Sequence, residues 1–309
     1  MKKPIKDVAA SVRQRLLNQA KEAGRPFDEL LQYYSMERFL YRLAQSDYQD
    51  RFVLKGALMF IVWKAPRSRA TMDIDFLGRG ENSIERLVQV VQNVCRIAVT
   101  APDGMIFDAA TVTGVRIKED TDYEGVRVTF KGRLGQARTA MQIDVGFGDA
   151  VNPKPQTIDY PVILDMPAPR LKGYPRETVV AEKFQAMVQL GLINTRMKDY
   201  YDLWLLARQF DFEGKSLGVA LKGTFARRKT DLALEPVALS GFFASDSQKK
   251  AQWVAFRGRT RLEHVPEDIG EVITALKDFL LPITTACIGG NPAGLVWKAP
   301  GPWRSIGSP

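Results

Sequence analysis

Residues Thr71-Met72-Asp73-Ile74-Asp75-Phe76-Leu77 decide how this chain is read. In an extended segment successive side chains alternate faces, so Met72, Ile74 and Phe76 fall on one side and Asp73 and Asp75 on the other. The apolar set can pack inward while both carboxylates project together. Like charges this close repel, and the strand needs either a cation between them or a solvated edge. Hard oxygen donors select magnesium or manganese, held jointly with substrate phosphates. An Asp-X-Asp is also the ordinary end of a strand whose acids face water, so the neighbouring segments carry the decision.

Downstream, Ala140-Met141-Gln142-Ile143-Asp144-Val145-Gly146-Phe147 repeats the alternation. Met141, Ile143, Val145 and Phe147 define an apolar face, and Asp144 points the other way. Laid beside the first strand, it brings a third carboxylate. Three acids can hold two metal ions, one activating an attacking hydroxyl and one clamping a leaving pyrophosphate. On an edge strand the same Asp144 is a surface residue. Upstream, Lys55-Gly56-Ala57 stands where an extended segment turns into an apolar helix, Ala57 to Trp63. A glycine there lets the backbone approach a phosphate, with the amides of the first helical turn aimed at it.

Further out, helical spacing predicts helices within residues 5–47, broken at Gly24-Arg25-Pro26, and another from Glu81 to Val99. A period of two follows, predicting strands near 105–117, 123–131, 137–147 and 158–164. After Pro175 the pattern is helical, over 177–192, 198–210, 214–228, 246–256 and 267–281. The fold class expected is α/β, a mixed sheet flanked by helices and followed by a helical C-terminal domain. The boundaries expected are 1–175 for the α/β domain with its N-terminal helices, 176–285 for the helical domain, and 286–309 for an irregular or disordered tail rich in Gly and Pro.

Composition narrows the chemistry. A content of 45% hydrophobic and 26% charged residues argues against wholesale disorder. Two cysteines, Cys95 and Cys287, build neither a disulfide framework nor a cysteine zinc site, and the N-terminal stretch lacks the apolar run of a signal peptide, so a cytoplasmic protein is expected. The single histidine, His264, argues against histidine triads and histidine-rich metal sites, which leaves metal chemistry to the carboxylates. The net charge of +9 is uneven: Lys215 to Arg261 holds ten basic residues against three acids, 10 − 3 = +7. That asymmetry suits a polyanionic partner such as RNA, and equally a solvated basic face.

With these segments the chain resembles the nucleotidyltransferase superfamily, and within it the AbiEii/AbiGii toxins of type IV toxin–antitoxin and phage-defence systems. Four segments carry the resemblance: Phe52-Val53-Leu54-Lys55-Gly56-Ala57-Leu58, Arg69-Ala70-Thr71-Met72-Asp73-Ile74-Asp75-Phe76, Val180-Ala181-Glu182-Lys183-Phe184-Gln185-Ala186-Met187, and Arg196-Met197-Lys198-Asp199-Tyr200-Tyr201-Asp202-Leu203. The resemblance implies a nucleotidyltransferase-like sheet and a metal-dependent enzyme. Asp73 and Asp75 match its metal-binding pair, Lys183 a lysine that contacts nucleotide phosphates, and Asp199 a further active-site aspartate. Lys55, Gly56, Ala57, Arg69, Arg196 and Lys198 are the accompanying nucleotide-binding candidates, and Asp144 is a candidate third metal ligand. Where the family commonly reads Gly-Ser or Gly-Gly, this chain has Gly56-Ala57, which removes one possible hydroxyl contact.

The residues around Lys183 also admit a plainer reading, as a solvated lysine paired with Glu182 or Glu177, and Asp199 serves equally as a helix N-terminal cap. The function expected is transfer of a nucleoside monophosphate from an NTP to RNA, at the 3′ end of tRNA, with Mg2+ or Mn2+, blocking translation. A cognate antitoxin encoded alongside is the implied partner, and no membrane is. The alternatives are a small-molecule, antibiotic-type nucleotidyltransferase, whose polycationic substrate fits a basic lobe poorly, and a non-catalytic nucleotide- or RNA-binding protein.

Overall fold

The structure, a computed structural model, describes residues 7–65, 70–120, 123–260, 262 and 264–306. The chain divides into two compact units. Of the described residues, the first comprises those from 7 to 64, from 70 to 148 and from 156 to 173; the second comprises residue 65, those from 149 to 155 and those from Tyr174 onward.

In the first unit, α1 (Val8–Ala23) starts where the Asp7 carboxylate accepts from the Ala10 amide at 2.9 Å, and it stops at Gly24 in the left-handed region. Helix α2 (Phe27–Ala44) follows the Gly-Arg-Pro break, with Asp28 and Glu29 in its first turn, where carboxylates oppose the helix dipole. Then come β1 (Phe52–Lys55), α3 (Leu58–Val62), β2 (Asp73–Gly78), α4 (Ile84–Cys95), β3 (Met105–Asp120), β4 (Tyr123–Leu134), β5 (Ala137–Phe147), β6 (Gln156–Asp159) and β7 (Arg170–Gly173).

The strands form one mixed sheet in the order β3-β4-β5-β2-β1-β7-β6. Strands β3, β4 and β5 are antiparallel neighbours, β5 then pairs parallel with β2, and β2 pairs antiparallel with β1. The mixed α/β architecture expected from the sequence is therefore the one observed. Phe76, Val128, Ile143 and Val145 line one face of the sheet, where they pack with Phe39 and Leu43 of α2 and Leu87, Val91 and Val94 of α4. Each such buried side chain contributes about 1.5–3 kcal/mol of transfer free energy, enough to fix which face of each strand is inward.

Two local expectations are corrected. Met72 does not share the buried face with Ile74 and Phe76: it precedes β2 and is 60% exposed, while its carbonyl accepts from Gln32 Nε2 at 3.2 Å. The strand expected over 158–164 is the shorter β6, because the chain leaves the sheet at Tyr160, whose amide donates to the Pro169 carbonyl at 2.8 Å. Its partner β7, four residues long, is too short for an alternation signal, and it is recruited by parallel pairing with β1.

The second unit contains α5 (Arg176–Leu190), α6 (Met197–Gln209), β8 (Phe212–Glu213), α7 (Gly214–Arg227), α8 (Gly241–Ser245), α9 (Ser247–Thr260), α10 (Ile269–Ile288), β9 (Leu295–Trp297) and β10 (Trp303–Ser305). The stretch expected to be irregular from residue 286 instead ends α10 and supplies two strands that form a small sheet with β8. Its tryptophans explain the order. Trp297 is 2% exposed, and its indole N–H donates to the Ala207 carbonyl at 2.7 Å; Trp303 donates likewise to the Phe279 carbonyl at 2.7 Å. One buried and one half-buried aromatic anchor, each with its N–H satisfied, compensate for the missing periodicity. No helix among the described residues is long and apolar enough to cross a membrane.

Helix α2 is buried along most of its length, polar residues included. Arg42 forks onto Asp103 at 2.7 and 3.1 Å, and Glu37 pairs with Arg38 at 2.7 Å while accepting from the Ile163 amide at 2.7 Å. Burial pushes the Glu37 carboxyl up to about 7, against the lowering effects of Arg38 and the Ile163 amide. A folded-state value above the unfolded 4.5 means that the folded chain holds this proton more tightly. Its contribution is complete below the unfolded value and is lost as pH rises toward 7. The melting temperature of the native chain relative to Glu37→Gln should therefore fall as pH rises through that window; a constant or rising difference in calorimetric scans would contradict the assignment.

Gly56, just after β1, has φ +71, and a Cβ there would overlap the Asp75 carboxylate. Gly56→Ala is expected to cost about 2 kcal/mol or more, through both backbone strain and displacement of that carboxylate. An unchanged urea midpoint would refute the packing argument.

Candidate active site

The face of the sheet opposite α2 and α4 carries the acids. Strand β2 has Ile74 and Phe76 turned into the core at 0% and 1% exposure, which leaves Asp73 and Asp75 on the other side, both half-buried. Parallel pairing of β2 with β5 sets Asp73 opposite Gln142 and Asp75 opposite Asp144. Strand β5 is interior to the sheet, so Asp144 is buried at 7% exposure and is not a surface acid on an edge. Carboxylate oxygens of Asp73, Asp75 and Asp144 lie within 4.8 Å of one another.

The register extends this row in both directions. Antiparallel pairing sets Arg127 of β4 opposite Asp144, and Lys55 of β1 opposite Asp75. Across four neighbouring strands the order is therefore Arg127, Asp144, Asp75, Lys55, all on one face of the sheet. Arg127 binds Asp144 through both ends of its fork, Nε to Oδ1 at 2.8 Å and Nη2 to Oδ2 at 2.7 Å. Hydrogen bonding to Asp144, with added field from Asp73 and Asp75, raises the Arg127 pKa further above its ordinary value. Gln142 donates to Asp144 Oδ2 at 3.4 Å.

Asp73 is oriented from its own segment. The Thr71 hydroxyl donates to Asp73 Oδ1, and the Thr71 amide donates to the Tyr33 hydroxyl at 3.1 Å. Gln32 bridges the carbonyls of Met72 and Ala140, at 3.2 and 3.0 Å, so that helix α2 holds the entrances of β2 and β5 together. Gln32, Tyr33, Thr71 and Arg127 are positioning residues that the sequence reading missed. Arg127 had a signal, since its strand alternates Val126, Val128 and Phe130 inward and so turns the arginine to the acid face.

The space beside Gly56 is filled by the Asp75 carboxylate, so its glycine makes room for a side chain within the chain. Helix α3 is five residues long, and the amides of Met59 and Phe60 donate to the carbonyls of Gly56 and Ala57 at 3.2 and 3.1 Å. Lys55 and Ala57 are buried, at 8% and 6% exposure. Arg69 lies outside the described residues.

The remaining candidates lie in the second unit. Lys183 on α5 is not a solvated lysine: its ammonium contacts Asp199 Oδ1 at 2.5 Å and Asp202 Oδ2 at 2.9 Å, both acids being on α6. Arg196, at the N-terminus of α6, reaches Asp199 Oδ2 at 3.2 Å, whereas Lys198 is exposed. Burial would raise the Asp199 carboxyl, but the charges of Lys183 and Arg196 and the lysine hydrogen bond outweigh it and hold the group below the usual carboxylate range. The basic segment is less open than its composition suggested. Arg228 binds Asp149 at 3.0 Å and Gln185 at 2.9 Å, and Lys249 is buried with its ammonium on the Asn194 carbonyl at 3.0 Å. Lys215, Lys222, Lys229, Lys250 and Arg259 are exposed. Cys95 is buried, and burial pushes its thiol up to about 12, which suits a core residue.

The donor set tests well against a metal. Three carboxylates with oxygens at mutual distances below 5 Å and no sulfur or imidazole donor make a hard oxygen site of the kind Mg2+ and Mn2+ occupy. Within the row and Asp73 together, three acids face two cations, which leaves one negative charge over.

Among known proteins, no curated protein matches the chain. Solved structures to which it is similar include two from the same organism. One is JHP933 from Helicobacter pylori, 16% identical, covering 85% of this chain and 94% of that one with a TM-score of 0.46. The other is a candidate nucleotidyltransferase from H. pylori, 17% identical, covering 85% of this chain and 97% of that one with a TM-score of 0.46. A family description matches residues 38–275, well over half of the sequence. The chain belongs to the AbiEii family of nucleotidyl transferase toxins of type IV toxin–antitoxin systems.

Proposed function

We propose that this chain transfers a nucleoside monophosphate from an NTP to RNA, with the 3′ end of tRNA as acceptor, and so blocks translation. The observation that carries the reading is the placement of Asp75 beside Asp144 on adjacent parallel strands, with Asp73 one pleat away, in a member of a nucleotidyltransferase toxin family. Asp73 and Asp75 would hold a magnesium ion, whose chemistry is to neutralise phosphate charge and activate an acceptor hydroxyl. The chain's own contribution is positioning and electrostatics. Thr71 orients Asp73, Gly56 gives the Asp75 carboxylate its space, and Gln32 fixes the two strands that carry the acids.

In the helical unit, Lys183 is assigned to the triphosphate. Asp199, clamped between Lys183 and Arg196 and held below the usual carboxylate range, is a weak base at neutral pH. Its role is to position Lys183. Arg196 and Lys198 of this unit, and Lys55 and Ala57 of the sheet unit, are each assigned to nucleotide binding, and the exposed Lys215, Lys222, Lys229, Lys250 and Arg259 support an RNA acceptor because they remain available to phosphates. Family membership supports a cognate antitoxin as partner and, with it, a role in phage defence.

Incubation with each labelled NTP and total tRNA should label tRNA in a divalent-ion-dependent manner, and Asp75→Asn should lower the rate at least ~100-fold, as loss of a metal ligand does. Absence of transfer from every NTP, or full activity of Asp75→Asn, rules the reading out. Lys183→Met should lower both transfer and stability. It leaves Asp199 and Asp202 buried without their shared ammonium, a loss of about 3 kcal/mol in urea unfolding. A variant that loses transfer with an unchanged midpoint would show that the cluster is not a structural ion pair.

A further inference from the structure

Asp144 is the third carboxylate of the row, yet both of its oxygens are engaged by one guanidinium. Nε and Nη2 of Arg127 meet Oδ1 and Oδ2 at 2.8 and 2.7 Å, and Gln142 adds a longer contact to Oδ2. The pair is not an accident of a mobile surface chain. Arg127 and Asp144 are directly opposed in an interior strand pairing, and the Asp144 side chain is 10% exposed while that of Arg127 is 39% exposed. A fork-on-carboxylate geometry in a partly buried position is among the strongest ways to hold an acid. A divalent ion would have to displace it.

Charge points the same way. The three acids alone carry a formal −3, which favours two divalent ions; with Arg127 and Lys55 in the row the balance is −1, which a single divalent ion already exceeds. We infer that Arg127 takes the place of a second metal ion: it keeps Asp144 out of the coordination sphere, so that the row binds one divalent ion, through Asp73 and Asp75. Arg127 is thus a positioning residue that fixes metal stoichiometry. The inference rests on the metal-binding reading of Asp73 and Asp75 given above.

Titration of the full chain with Mn2+, followed by the electron paramagnetic resonance signal of the free aqua ion, reads the stoichiometry without any turnover. The native chain should bind one ion, and Asp144→Asn should bind one ion with affinity within about threefold of native. Arg127→Gln frees Asp144 and should gain a second ion or about tenfold in affinity, as added ligand charge tightens such sites. Arg127→Gln with Asp144→Asn should lose that gain. Arg127→Lys, which keeps the charge but lacks the fork, should bind one ion, and it stands in if the glutamine variant does not fold.

Two ions on the native chain, a tenfold or greater loss on Asp144→Asn, or an Arg127→Gln variant indistinguishable from native each overturns the inference while leaving one or more ions on Asp73 and Asp75. A native chain that binds no ion, or an Asp75→Asn variant that binds as native does, instead overturns the underlying metal site, and the inference with it.

Discussion

Two carboxylates facing each other across a parallel strand pair repel, and the pairing of β2 with β5 persists only if cations are near enough to offset that repulsion. The chain supplies two from the same sheet, Arg127 beyond Asp144 and Lys55 beyond Asp75. Everything else about the acidic face follows from this register. A slip of one residue would turn Asp73, Asp75 and Asp144 into the core and send Ile74, Phe76, Ile143 and Val145 to solvent, at a cost of several buried side chains. The apolar face therefore holds the charged face in place.

Around that row the supports are local and inexpensive. A glycine leaves space for one carboxylate, a threonine hydroxyl orients another, and a glutamine from α2 ties the strand entrances. None of these residues carries unusual chemistry, and each acts by excluding alternatives for a neighbour. The helical unit uses the same device in reverse: an ammonium shared by Asp199 and Asp202 satisfies two buried acids that would otherwise be costly.

Alternation made the acid face legible before any coordinates. Ile74 and Phe76 inward leave Asp73 and Asp75 together, and the same rule turns Asp144 away from Ile143 and Val145. What alternation cannot give is which strands become neighbours. The adjacency of β5 and β2, and hence of Asp144 and Asp75, is a long-range fact carried by a crossover of the chain, as is the recruitment of the four-residue β7. Side-chain partners lie one step further out. Lys183 reads as solvated by its own helix, because its acids come from the next one, and ten basic residues read as one surface although Arg228 and Lys249 are spent internally. The order of the tail comes from two tryptophan anchors, which leave no period in the sequence.

Helix α2 acts on the acids from the far side of the sheet. The matched region opens at residue 38, in the middle of that helix, whereas the groups that hold the entrances of β2 and β5 come from its preceding turns, Gln32 and Tyr33. A fragment cut at the matched boundary would keep all three acids and lose the clasp over the strands that display them. The helix therefore does more than cover the sheet: its first turns set the spacing of the charged row on the far side.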